Sequence, residues 1–474
     1  MIPFFIVSLL LSLLPAIQGS TFSPARPPAQ PLAVTSPYLS AWQQAGGDGD
    51  NGGFARCGQI LGSTGLINVD GTTYAWMGAP LYVPTVDQIS YTYTSTSSAY
   101  VLSVNGAVEY FVDEVSALYF FHNDYDTASA LSASLDSQVQ SDATGISDDY
   151  ATLALLSLRQ AFGGTQLVGT NSTYVFLKEI SSDGNVNTVD VIFPAHPAFL
   201  YTNPTYVKLL LAPLFENQEA GQYPNKWSMH DRGSHYPNGT GHPDGNDEQM
   251  PLEECGNNAN HVVDQWTQFL VAEAIYSANQ ISTDDFAGSL ANQTNLALKG
   301  MIGIKAMSVI ANVTANSADA ANYSSIANSY ISQWQNLGFN TAANPPHATL
   351  SYGSNNTWGL LYNLLGDKML NLGLVPDSVY EIETAFYATV NARYGDWESW
   401  IASVSTNTTF RDMVYSDLAN WINTTPTNMA ETDLYDTVTG NYPGITFINR
   451  PVMGGVFAQL VVGMGLSAQV GQIV

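Results

Sequence analysis

The pattern of apolar and polar positions across residues 66–112 reads as β, and at 91–96 two unlike faces alternate with a period of two. Tyr91, Tyr93 and Ser95 fall on one side, and Thr92, Thr94 and Thr96 on the other. Residues 100–104 and 107–112 flank Asn105-Gly106. Both turn residues tolerate positive φ, so a two-residue hairpin is predicted there. From about Asp126 the spacing becomes helical. Asp148 and Asp149 open an Ala- and Leu-rich run at 150–162, and Gly163-Gly164 close it, in keeping with dipole and capping preferences. A strand pair is expected at 174–180 and 188–193, around Ser182-Asp183-Gly184-Asn185. Further helices are expected near 205–215, 253–277, 292–310, 318–334, 357–372, 379–394, 411–422 and 452–466. Their connectors suit helical hairpins, and no repeat of fixed period runs through them.

A chain of 474 residues exceeds one ordinary core, so two domains are expected: a β-rich part at 20–115 and a helical part at 116–474. Ahead of them, residues 1–14 are almost wholly apolar and Ala16, Gly19 and Ser20 follow. That order predicts a cleaved signal peptide at 1–19, since the run is short for a membrane span. Eight Asn-x-Ser/Thr sequons, at Asn171, Asn238, Asn292, Asn312, Asn322, Asn355, Asn407 and Asn423, fit a secreted glycoprotein. The net charge is −27 with only 13 basic residues, which disfavours nucleic acid and anionic membranes as partners. Two cysteines, Cys57 and Cys255, make no disulfide framework and are read as a single bridge or two thiols. A Pro-rich entry at 24–37 reads as an extended arm. Asp48-Gly49-Asp50-Asn51-Gly52-Gly53 has the wrong spacing for a calcium loop and reads as a turn.

One segment concentrates chemistry. Residues 217–257 hold His230, His235 and His242 with Glu219, Asp231, Asp244, Asp247, Glu248, Glu253 and Glu254; Tyr223, Trp227 and Tyr236 could wall a small pocket. A connection this long inside a compact domain is usually functional. Hydrolysis of an amide or glycoside needs a group that activates water, one that protonates the leaving group, and donors for developing charge. Carboxylates and histidine supply the first two. The histidine spacing matches no zinc signature, and no metal or other cofactor is expected; Asp244, Asn246 and Asp247 are a weaker calcium alternative. Cys255 at a helix start is a possible nucleophile but reads better as a small core residue.

A family likeness rests on long, uncommon strings. They include 176–185 (FLKEISSDGN), 188–194 (TVDVIFP), 200–204 (LYTNP), Met229-His230-Asp231, 241–248 (GHPDGNDE) and Glu253-Glu254-Cys255-Gly256-Asn257. Others are 281–288 (ISTDDFAG), 358–363 (WGLLYN), 450–457 (RPVMGGVF), and Pro31-Leu32-Ala33-Val34 with Ser36-Pro37-Tyr38-Leu39-Ser40. Through these the chain resembles the secreted glutaminase A family of fungi. The resemblance implies an α+β multidomain protein, mainly α: an (α/α)6 six-hairpin toroid preceded by a β-sandwich-like part. It implies hydrolysis of L-glutamine to glutamate and ammonia.

Glutamine carries a carboxylate and an ammonium, so its pocket needs a cation and an anion. The scarce basic residues Lys178 and Arg450 lie in matching segments, whereas Arg232 departs from the family. The expected substrate-binding set is Lys178, Glu179, Arg450, Asp285, Tyr223 and Trp227. Asp231 and Glu254 are expected as base and acid, assisted by His230 and Asp247. The chain departs from the family in three places: a shortened β part that ends near Asp113-Glu114-Val115, a stretch missing around 258–263, and another after Tyr394-Gly395. A carbohydrate-acting toroid enzyme and an inactive secreted remnant are the alternatives.

Overall fold

The computed structural model describes residues 21–37, 39–44, 55–56, 65–69, 71–78, 83–104, 107–112, 119–169, 173–179, 184–233, 238–259, 264–283, 287–390, 395–442, 444 and 447–464. Two compact units emerge. One comprises 1–33, 41–136 and 422–430, the other 34–40, 137–421 and 431–474. The leader, the Asp48–Gly53 turn, Cys57, His235, Tyr236 and Asp285 lie outside the described residues.

The first unit is β-rich. Strands β5 (Gly65–Val69) and β6 (Thr72–Met77) form a hairpin. β7 (Asp87–Tyr93), β8 (Ser98–Val104) and β9 (Ala107–Val112) run antiparallel, and β1 (Thr21–Ser23) pairs in parallel with β7. Val104 pairs with Ala107, the register a two-residue Asn-Gly connection imposes. Tyr91 and Tyr93 are fully buried, as the alternation requires, and their rings stack at 5.9 Å. β2 (Ala29–Ser36), β3 (Leu39–Gln44) and β4 (Ala55–Arg56) make a further small sheet.

The helices begin with α1 (Tyr119–Thr144) and α2 (Asp148–Gly163). Ser147 caps α2 through its side chain, and Gly164 ends it. Next come the β10–β11 hairpin (Thr165–Gly169, Thr173–Leu177), α3 (Val189–Thr202) and α4 (Pro204–Glu219). α3 corrects the strand expected at 188–193. Val189, Val191, Ile192 and Phe193 are buried all round, so their run carries no helical stripe and cannot be told from a buried strand by periodicity. Pro197 supplies no N–H to the Phe193 carbonyl; the His196 ring nitrogen meets that carbonyl instead.

Beyond the histidine-bearing loop lie α5 (Pro251–Ala259) and α6 (Asp264–Glu273), which take up most of the helix expected at 253–277; residues 260–263 between them lie outside the described residues. Both helices pack on α7 (Thr294–Val313), which forms a hairpin with α8 (Ser317–Gly338). α7 is long and apolar enough to cross a membrane, but 72% of its apolar window is buried inside the protein, as befits a core helix. α9 (Leu364–Met369) is much shorter than the helix expected at 357–372. It is followed by α10 (Asp377–Tyr387), α11 (Gly395–Val404) and α12 (Thr408–Thr424). A 3₁₀ turn, Pro451–Phe457, precedes α13 (Ala458–Met464), where one α-helix was expected. Trp334, Trp400, Tyr323, Tyr380 and Leu298 are among the fully buried residues of the large apolar core.

Candidate functional site

The described residues of 220–250 form no regular element, yet hydrogen bonds fix them against the segment that leads into α3. Val186 bonds the loop through both backbone groups: Arg232 N–H donates to the Val186 carbonyl at 2.8 Å, and Val186 N–H donates to the Gly233 carbonyl at 3.0 Å. Val189 N–H donates to the His230 carbonyl at 2.9 Å. This pairing sets the first turn of α3, which carries Asp190, beside the His230 ring. α5 brings Glu254 to the same ring from the other end of the loop.

His230 is 3% exposed and ringed by acids. Its Nδ1 lies 2.7 Å from Asp231 Oδ2, and its Nε2 lies 3.5 Å from Asp190 Oδ1 and 3.7 Å from Glu248 Oε2. Asp231 is held on several sides: Asn185 Nδ2 donates to Oδ2 at 3.1 Å, Gly233 N–H donates to Oδ1, and His242 Nε2 lies 2.9 Å from Oδ1. Asp247 works one layer out. It accepts the His230 backbone N–H at 2.8 Å and the Tyr223 hydroxyl at 3.0 Å.

The charge states diverge within this small volume. Burial disfavours a charged His230, but Asp190 and Asp231 outweigh it and hold the imidazole well above its usual range. Burial also opposes a charged Asp190; the His230 charge overcomes it, and Asp190 stays below the ordinary carboxylate range. Glu254 goes the other way. It is 1% exposed, and neither carboxyl oxygen has a hydrogen-bond partner among the described residues. Burial, with Asp190 and Glu253 adding like charge, pushes it well above the ordinary range despite His230. One atom each from Asp190, His230 and Glu254 lies within 4.8 Å of the others. The arrangement therefore offers an ionised base, a cationic donor and a protonated acid around one point. The same three atoms could also share a small cation.

Of the residues expected from sequence, His230, Asp231, Asp247, Glu254 and Tyr223 come together. Glu179 and Arg450 meet in a second cluster, where Arg450 Nη2 reaches Glu179 Oε1 at 3.0 Å and Nη1 reaches Asp433 Oδ2 at 2.8 Å. Lys178 precedes Glu179 and bridges to Val186 through its backbone. Trp227 packs on Phe269, ring centroids 5.8 Å apart, on the α6 side. Cys255 is a buried free thiol that accepts the Ser228 N–H at 3.3 Å, and burial pushes it up, which suits a core residue better than a nucleophile. Asp244 spends its carboxylate on Asn246 in a local turn, while Asp247 points to Tyr223 and His230. Sequence reasoning missed Asp190, Glu431, Asp433 and the buried Glu253–Lys299 ion pair. The signal for Asp190 was a lone acid in an apolar run.

The family model for the glutaminase A six helical-hairpin domain matches residues 147–260 and 258–460. The match is split at the point where a missing stretch was expected. Glutaminase A of Aspergillus oryzae is 40% identical over 670 aligned positions, which take in 94% of this chain and 97% of the relative. That span is longer than this 474-residue chain, so the relative carries segments absent here. A probable glutaminase of Arthroderma benhamiae is 36% identical over 468 positions, 74% of this chain and 54% of the relative.

Proposed function

Because the chain belongs to the glutaminase A family, we propose that it hydrolyses the side-chain amide of L-glutamine to glutamate and ammonia, using Asp190, His230 and Glu254. The observation that carries this reading is a pair of carboxyl groups beside one buried imidazole, with the pKa of Asp190 held down and that of Glu254 pushed up. Amide hydrolysis needs that inequality, since the base must be ionised while the acid is not.

Asp190 takes a proton from a water whose oxygen attacks the amide carbon. The resulting oxyanion is stabilised by His230, whose charge Asp231 supports. Glu254 gives its proton to the amide nitrogen, the C–N bond breaks, and ammonia departs. Transfer of the proton from Asp190 to Glu254 restores the starting state. Asp231 acts through His230 and is a positioning residue, as Asp247 is through the His230 backbone. This assignment moves the base from Asp231, as expected from sequence, to Asp190, because Asp231 is consumed by Asn185, Gly233, His242 and His230.

The family also supports a six-hairpin toroid for the helical unit. Export is part of the proposal. It draws on the apolar leader and on the exposure of Asn238, Asn312, Asn322, Asn355, Asn407 and Asn423 among the sequons. A mass shift on deglycosylation of the culture-medium protein tests it. For the reaction, ammonia and glutamate are measured in equal amounts from L-glutamine; a folded chain that releases neither refutes the assignment.

A further inference from the structure

We propose that Asp433, paired with Arg450, and its neighbour Glu431 bind the α-ammonium group of the substrate. The proposal rests on the glutaminase reading and extends it to substrate recognition. Glu179 and Asp433 bring two carboxyl groups to one guanidinium, and Arg450 has already committed Nη1 to Asp433 and Nη2 to Glu179. Glu431 adds a third carboxyl close enough for the Asp433 charge to act on it. Glu431 is 2% exposed and Asp433 9%; Glu431 Oε2 and Asp433 Oδ1 have no hydrogen-bond partner among the described residues. Buried acceptors facing surplus negative charge call for a cation with several N–H donors. A primary ammonium supplies three.

The cluster is coupled to the reacting groups. Arg450 helps lower the pKa of Asp190. Glu179 N–H donates to the Asn185 carbonyl at 3.0 Å, and the Asn185 side chain donates to Asp231 at 3.1 Å. This short path joins the ion pair of Arg450 to the partner of His230. A proton can relieve the surplus: burial, then the Asp433 charge, pushes Glu431 up to about 8. An incoming ammonium takes over that role.

Glutaramate differs from L-glutamine only in lacking the amino group, and glutarate differs from L-glutamate in the same way. The wild type is expected to favour glutamine over glutaramate in kcat/KM by about 10- to 100-fold, mainly through KM, the range of a charged hydrogen bond. Asp433→Asn, with Glu431→Gln as a second variant, should lower kcat/KM for glutamine by that factor, affect glutaramate far less, and erase the preference. L-glutamate should raise the wild-type melting temperature more than glutarate does, and the variants should not distinguish the two. Equal turnover of both amides by wild type, an undiminished preference in both variants, or equal thermal shifts by the two products would overturn the proposal. Turnover of neither amide would sink the glutaminase reading, and the product-binding comparison would then decide this one.

Discussion

Glu254 is buried with no hydrogen-bond partner among the described residues, and Asp190 and Glu253 lie close enough to oppose its ionisation. Glu254→Gln keeps the shape of the protonated acid but exchanges its acidic O–H for an amide NH2 that does not transfer a proton. The expected result is a kcat lower by about 10²-fold or more with an unchanged fold. Asp190→Asn should cost as much by removing the base. The pH profile follows from the same two shifts. Activity requires Asp190 ionised and Glu254 protonated, so kcat/KM should fall as pH drops through the lowered pKa of one and as it rises through the raised pKa of the other. A broad plateau should lie between, and a profile rising steadily toward alkaline pH would speak against these roles. His230 already supplies positive charge at the centre, so dialysis against EDTA should leave turnover intact. Loss on chelation with recovery on added zinc would make Asp190, His230 and Glu254 ligands instead. His230, Asp231, Asp247 and Glu254 were legible in the sequence because they crowd one polar loop. Asp190 and Asp433 were not, since each meets its partner only through tertiary packing.

Among the elements, α3 shows why local pattern and fold part company. Its apolar run reads as a strand, and its two internal prolines argue against a helix, yet tertiary context overrides both signals, and the helix carries Asp190 in its first turn. The packing against it is tight. A Cβ on Gly454 would stand 2.5 Å from the Ala195 carbonyl oxygen and 3.1–3.2 Å from the Ala198 and Ala161 methyls. Gly454→Ala should therefore cost about 1–3 kcal/mol, read as a lowered denaturant midpoint; an unshifted midpoint would show that the 3₁₀ turn can move off α3. By contrast α2 and the β8–β9 pairing were readable in advance, because capping residues and an Asn-Gly pair are local signals. The apolar face of α6 is covered: Trp266 is 3% exposed, and its ring lies 5.6 Å from that of Phe215.

For the whole molecule, charge and burial point the same way. Glu383 is pushed up to about 7 and Glu431 to about 8, both chiefly by burial. A carboxyl whose folded pKa exceeds its unfolded value near 4.5 binds its proton more tightly when folded. Stability is therefore lost as pH climbs from about 4.5 through these folded values. The −27 charge adds self-repulsion in the same direction. The melting temperature should be higher at pH 5 than at pH 8; the reverse order would contradict the assigned shifts. Set beside the A. oryzae relative, this chain should melt lower and turn over more slowly, given the segments it lacks. Equal values would make those segments dispensable. The most direct test of the central claim is the initial rate of ammonia release from L-glutamine, measured for wild type and for Glu254→Gln at matched circular dichroism. The account predicts glutamate and ammonia in equal amounts from wild type and a rate at least about 10²-fold lower in the variant. No ammonia from folded wild type, or equal rates from the two proteins, would contradict it.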